Sequence, residues 1–295
     1  MDRRDILNDP DPVRFYGAVR ARVVTFIQGV EGIFHLRDVY DYCDAHDDRT
    51  RNAVRQAVYR AKNDEIIKTD SNRAGYYRRV DNVLKIINLS SLSDEPPLDV
   101  KLPLDLDMFV EVYPKDLVVF AGVPNEGKTT FLLESLRLNM ERFPCFYFSS
   151  EMGARACAKR ISKHSDTLLK DWRINFVDSF TSYTDIIQPD ALNFIDYIEA
   201  PDGEAFRVPS IMAGIHQRLQ NGIAFIALQK NPGTDHGIGG TQTRAKPSVF
   251  CTLEDHTCKV VKAKSWRGVN PHFYTVKYKI RDGINLSRVG NWTPP

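Results

Sequence analysis

The sequence predicts a two-part α/β protein, with a small helical unit ending in a hairpin followed by a larger domain of alternating strands and helices. Three observations predict it. Beyond residue 104, apolar runs of strand length alternate with helix-patterned segments. One strand–helix junction there reads GxxxxGK[ST], from Gly122 through Val-Pro-Asn-Glu to Gly127, Lys128 and Thr129. Ahead of this region, residues 81–104 hold Ser90-Ser91-Leu92-Ser93-Asp94-Glu95-Pro96-Pro97, the composition of a linker.

Taken in order, residues 1–14 are polar and proline-bearing and read as a flexible lead-in. In the unit 15–80, Tyr16, Val19, Val23, Val24, Phe26 and Ile27 recur at helical spacing until Gly29 and Gly32 interrupt them. Leu36, Val39, Tyr40 and Cys43 predict a short second helix. Asp48 is placed to cap a third, which runs through Ala53, Val54, Ala57, Val58 and Ala61. Two short strands, 65–69 and 76–80, flank a polar turn and predict a hairpin. Three helices followed by a hairpin is the order of a winged helix-turn-helix. In the domain 105–295 the predicted strands are 117–121, 145–149, 192–197, 223–229, 249–253, 258–263 and 273–280, with a helix from Thr129 to about Arg142.

The composition, 42% hydrophobic and 26% charged, is that of an ordinary globular chain. A net charge of +2 means that any nucleic-acid binding must come from local patches. The five cysteines form no CxxC pair, which argues against a zinc site or disulfide framework and for a reduced, cytoplasmic setting. The polar start does not read as a signal peptide, and no apolar run approaches membrane-spanning length.

The glycine-rich junction is a phosphate-binding loop in its proper setting. Gly122 and Gly127 let backbone N–H groups turn inward toward a polyphosphate. Lys128 can reach the β- and γ-phosphates, Thr129 can hold magnesium, and the helix N-terminus adds its positive end. The expected nucleotide contacts are Gly122, Pro124, Asn125, Glu126, Gly127, Lys128, Thr129 and Thr130. A plain glycine turn would explain neither the lysine nor the paired threonines. ATP and Mg2+ are therefore the expected cofactors.

Hydrolysis needs more than this loop. The strand Leu192-Asn193-Phe194-Ile195 ends in Asp196, the form of a magnesium-holding carboxylate; the alternative is an aspartate capping the next turn. Residues Tyr147-Phe148-Ser149-Ser150-Glu151-Met152 end a second apolar run in a carboxylate that could orient water. Alone, Glu151 reads equally as a surface residue at a helix start. A third run ends in Gln229, placed to feel a γ-phosphate or simply to cap its strand.

Taken together, GVPNEGKTT, YFSSEM, FIDYIEA and IALQKN resemble the RecA-like core of the DnaB-type replicative helicases and their phage and plasmid relatives. The resemblance spans residues 105–282 and implies a RecA-like P-loop NTPase fold. It gives Glu151 the role of activating the hydrolytic water and Gln229 that of contacting the γ-phosphate. It also implies a homo-oligomeric ring or filament, with ATP bound between neighbours. The family places trans-acting basic residues on a late hairpin as Lys-x-Arg. Here Lys264 matches the lysine, and Arg267 stands one residue away from the arginine position. Nucleic-acid contact or a solvated strand edge are the other readings of that cluster. The helical N-terminal domain of the cellular DnaB helicases has no counterpart in this sequence.

Two segments that follow catalytic strands, 201–209 and 232–247, read as mobile loops able to grip single-stranded DNA, the second through Arg244 and Lys246. The N-terminal unit is expected to bind duplex DNA through Arg49, Arg51 and Arg55 on its third helix and Arg73 and Arg78 on its hairpin. A protein-contact module is the alternative there. The reading as a whole is an ATP-hydrolysing, DNA-binding motor of phage, prophage or plasmid replication or recombination, helicase-like or remodelling other replication proteins. An ATP-switched DNA-binding regulator or a recombinase mediator stands as the alternative.

Overall fold

The computed structural model describes residues 11–30, 32–70, 74–80, 96–178, 182–198 and 204–295. The chain divides into two compact units, Met1–Ser93 and Asp94–Pro295.

In the first unit, helix α1 (Pro12–Gly29) begins where Asp11 accepts a hydrogen bond from the Val13 N–H, with proline in its first turn. Residues 12–14 are therefore helical and not part of a lead-in. Its buried stripe is Phe15, Val19, Val23 and Ile27, at four-residue spacing, while Tyr16 is exposed. Strand β1 (Ile33–His35) leads into α2 (Leu36–Tyr42), whose first turn is closed by a reciprocal His35–Asp38 capping box. Helix α3 (Asp48–Asn63) is capped by Asp47, one residue earlier than expected, which accepts from the Thr50 N–H and hydroxyl. Strands β2 (Ile67–Thr69) and β3 (Tyr76–Arg79) form the hairpin. β1, which the sequence pattern did not show, pairs antiparallel with β3 to complete a three-stranded sheet of order β1-β3-β2. The hairpin turn needs Gly75: its φ is +80°, and a Cβ there would lie 2.9 Å from the His35 ring. Arg73 and residues 81–95 lie outside the described residues.

Residues 96–104 are not linker. Val100, Leu102 and Leu104 are buried in the core of the second unit, and Asn139 holds the Lys101 backbone at both its N–H and its carbonyl. The second unit is a nine-stranded sheet between two helical layers. Its strands are β4 (Leu117–Gly122), β5 (Cys145–Ser149), β6 (Asn175–Val177), β7 (Leu192–Asp196), β8 (Ile223–Gln229), β9 (Val249–Glu254), β10 (Thr257–Ala263), β11 (Thr275–Arg281) and β12 (Asn285–Thr293). The spatial order is β12-β11-β10-β9-β4-β8-β7-β5-β6. The six strands from β9 to β6 are parallel, and β10, β11 and β12 add an antiparallel extension.

Every residue of β4 is buried because both faces of the sheet are covered. Val118 and Phe120 point to one side, against Phe131, Leu133 and Leu136 of α4 (Lys128–Asn139) and Cys157 and Ile161 of α5 (Ala154–Ile161). Leu117, Val119 and Ala121 point to the other, against Val208, Met212 and Ile215 of α7 (Val208–Arg218) and residues flanking α6 (Tyr183–Ile186). The seven expected strands are present within two residues at each end. β6 and β12 were missed. Among the described residues no helix is long and apolar enough to cross a membrane.

Candidate functional site

In an open parallel sheet, strand carboxyl ends line up at one edge, where ligands are held. Register brings the candidates together there: Gly122 pairs with Gln229 across β4–β8, and Ser149 pairs with Asp196 across β5–β7. A cavity of about 450 Å³ opens at this edge. Of the expected residues, Pro124, Asn125, Gly127, Lys128, Thr129, Thr130, Glu151 and Gln229 line it.

The loop between β4 and α4 turns on two left-handed residues, Asn125 (φ +68°) and Gly127 (φ +82°). A Cβ on Gly127 would meet the Ile280 side chain at 2.1 Å. The Lys128 ammonium is folded back onto the loop and donates to the Gly122 and Val123 carbonyls at 3.1 and 3.0 Å. Burial lowers its pKa, opposed by the nearby charges of Asp196, Glu151 and Glu126. A polyphosphate entering the cavity offers this ammonium better acceptors than two carbonyls.

Asp196 ends β7 almost fully buried. Burial pushes its carboxyl up from the usual range, and hydrogen bonds from Tyr147 and Thr129 pull it back down. The Tyr147 hydroxyl donates to Asp196 Oδ2 at 2.6 Å. A loop threonine beside a strand-end aspartate is the donor set that suits a hydrated magnesium ion, which keeps several waters and takes few protein ligands. The cradle and the pair thus fit a magnesium–nucleotide. Glu151 stands exposed at the rim, just beyond β5, free to reach a water.

Two expected loop contacts point elsewhere. Gly122 does not line the cavity; its carbonyl also accepts from the Lys230 N–H at 3.2 Å. The Glu126 carboxylate accepts from the Tyr278 hydroxyl at 2.8 Å and the His256 N–H at 2.9 Å, tying the loop to the antiparallel extension. Thr130 adds a bond to the Gly283 carbonyl.

Five lining residues were not found by sequence reasoning: Arg160, Tyr197, His256, Ile280 and Gly283. Arg160 sits in the last turn of α5, nine residues after Glu151, and its charge reaches Asp196. A basic residue two turns into the helix that follows a carboxylate-ended strand was the available signal. The other four come from the next residue after Asp196 and from the extension, and nothing local marks them.

Lys264 and Arg267 do not line the cavity of their own chain. β10 runs antiparallel, so Ala263 pairs with Val249, at the start of β9 and the far end of the strands from Gly122. There Lys264 Nζ donates to the Lys246 carbonyl at 2.9 Å, and Lys262 Nζ donates to the Arg244 carbonyl at 2.6 Å. Arg244, Lys246 and Lys264 therefore form one basic cluster at the opposite edge. The segment 232–247 is not a loose loop. Gly233 N–H donates to Glu254, Ile238 N–H to the Gln229 carbonyl, and Gly237 N–H to the Thr243 hydroxyl. Of the segment 201–209, residues 201–203 lie outside the described residues, and the remainder forms a short 3-10 turn running into α7.

In the first unit, the three helix arginines are engaged internally. The Arg49 guanidinium lies 4.1 Å from the Phe15 ring centroid, Arg51 Nε donates to the Ala45 carbonyl, and Arg55 Nε donates to the Tyr40 hydroxyl at 2.9 Å. All three remain exposed, as does Arg78.

No protein-family model matches the chain, and no curated protein sequence matches it. Among solved structures it is similar to the ATPase domain of a DnaB-family helicase, at 13% identity and a TM-score of 0.49 over 64% of this chain and 94% of that one. It is also similar to a KaiC-like protein from Pyrococcus horikoshii OT3, at 13% identity and a TM-score of 0.48 over 66% and 99%. Similarity at this level does not extend to activity or partners.

Proposed function

We propose that this chain is a RecA-like P-loop ATPase that hydrolyses Mg2+–ATP between subunits of a homo-oligomer and couples hydrolysis to DNA in replication or recombination. The observation that carries this is the meeting of Lys128, Thr129, Glu151 and Gln229 in one cavity, with Asp196 directly behind it. Lys128 binds the β- and γ-phosphates, Thr129 and Asp196 hold the hydrated magnesium, Glu151 orients the attacking water, and Gln229 and Arg160 contact the γ-phosphate. Magnesium supplies charge neutralisation at the phosphates. Arg244, Lys246 and Lys264, displaced to the opposite edge, serve a neighbouring subunit or the DNA backbone. Arg267, exposed beside them in sequence, joins Lys264 as the trans-acting pair. The first unit, three helices with a three-stranded sheet, acts as a winged helix-turn-helix on duplex DNA.

The deciding measurement is ATP turnover with and without single-stranded DNA, beside a strand-displacement assay. A motor is stimulated by the strand and unwinds duplex only with ATP. Tight ATP binding with negligible turnover under every DNA condition would sink the motor reading and leave an ATP-switched regulator.

A further inference from the structure

The carboxylate meant for magnesium takes its orientation from another strand. Tyr147 lies on β5, level with Phe194 and on the same face of the sheet as Asp196. Its ring is fully buried and stacked on Phe176, with centroids 5.8 Å apart and planes inclined by 14°. Packing alone would be served by phenylalanine, yet the hydroxyl reaches Asp196 Oδ2 at 2.6 Å. The Thr129 hydroxyl also bonds this carboxylate, so it is held from the β5 side and from the phosphate loop. The donor on β5 is neutral. A lysine or arginine in its place would form an ion pair and compete with a metal for the same charge; a phenol fixes the rotamer and leaves the charge available.

We propose that Tyr147 is a positioning residue for the magnesium site, holding Asp196 in the orientation that receives the hydrated ion. This rests on the magnesium–nucleotide reading above. It assigns a role to a strand-interior tyrosine that makes no contact with the nucleotide cavity.

The test is Tyr147→Phe in the full chain, which keeps the ring and its stacking and removes one oxygen. Three quantities are read: Mn2+ binding by electron paramagnetic resonance in the presence of ADP, the Mg2+ midpoint for binding a fluorescent ATP analogue, and the affinity for that analogue in EDTA. The metal midpoints are expected to rise about tenfold, as for loss of an outer-shell partner, while affinity in EDTA is unchanged. Phe176→Leu is the companion. It disturbs the same packing but keeps the hydroxyl, and should leave the midpoints in place. Unchanged midpoints in Tyr147→Phe overturn the proposal, as do equal shifts in both variants, which would assign the effect to packing. Loss of nucleotide binding in EDTA would assign the hydroxyl to folding and also overturn it. Wild-type protein whose nucleotide binding shows no metal dependence defeats the magnesium reading itself, and this proposal with it.

Discussion

Lys128 rests on the Gly122 and Val123 carbonyls, so binding nucleotide requires it to exchange those two bonds for phosphate oxygens. Lys128→Ala should therefore abolish ATP binding or turnover, read by fluorescent-nucleotide titration and phosphate release. Glu151 stands at the rim, where it can touch water without holding the nucleotide. Glu151→Gln should retain ATP affinity and lower turnover about 10²–10⁴-fold, the usual range for removing a general base. Surviving turnover would assign water activation to another group. The loop residues were legible because a phosphate cradle imposes fixed spacing on glycine, lysine and threonine. Arg160 was not, because a helix pattern shows which face is apolar and does not show which polar side chain faces a cavity. Glu126 was misjudged for the same reason, since its partners Tyr278 and His256 lie more than 125 positions away in sequence.

Elements were read best where one periodicity held along their whole length. The all-buried β4 and the four-residue stripe of α1 are of this kind. β1 and β6 are three residues each, too short for alternation to register. β12 escaped because its residues are mostly exposed and carry no apolar alternation. Cap chemistry is also local, and α3 gives it a test. Asp47→Ala should destabilise the first unit by about 1 kcal/mol in urea unfolding near neutral pH. The Thr50 hydroxyl and N–H hold the Asp47 carboxyl below its ordinary range. Its contribution is thus fully present above the unfolded pKa of about 3.9 and is lost as pH falls through the lower folded value, so wild type and variant should converge in acid. In the phosphate loop, Gly127→Ala forces a side chain into left-handed backbone and against Ile280. A loss of about 1–2 kcal/mol and weakened nucleotide binding are expected from the backbone conformation.

At the scale of the whole molecule, the separation of Lys264 from its own cavity makes a direct prediction. If Lys264 serves a neighbour, Lys128→Ala and Lys264→Ala subunits should each be poor ATPases alone, and a mixture should regain turnover. No recovery on mixing would place Lys264 in its own chain's fold or on DNA. Mass measurement with ATP and single-stranded DNA reads the assembly: a closed hexamer fits a helicase, a polydisperse filament a recombinase-like protein, and a monomer or dimer a regulator. The sequence by itself determined the α/β class, the strand that carries the phosphate loop, and the three strand-end side chains Glu151, Asp196 and Gln229, because strand periodicity and phosphate geometry are short-range constraints. Only the tertiary structure decided which side chains share the cavity. The order of the nine strands brings Gln229 level with Gly122, sets Tyr147 against Asp196, folds the extension over the loop, and carries Lys264 to the far edge. Those neighbours are joined by pairings between segments distant in the chain, and no local pattern encodes them.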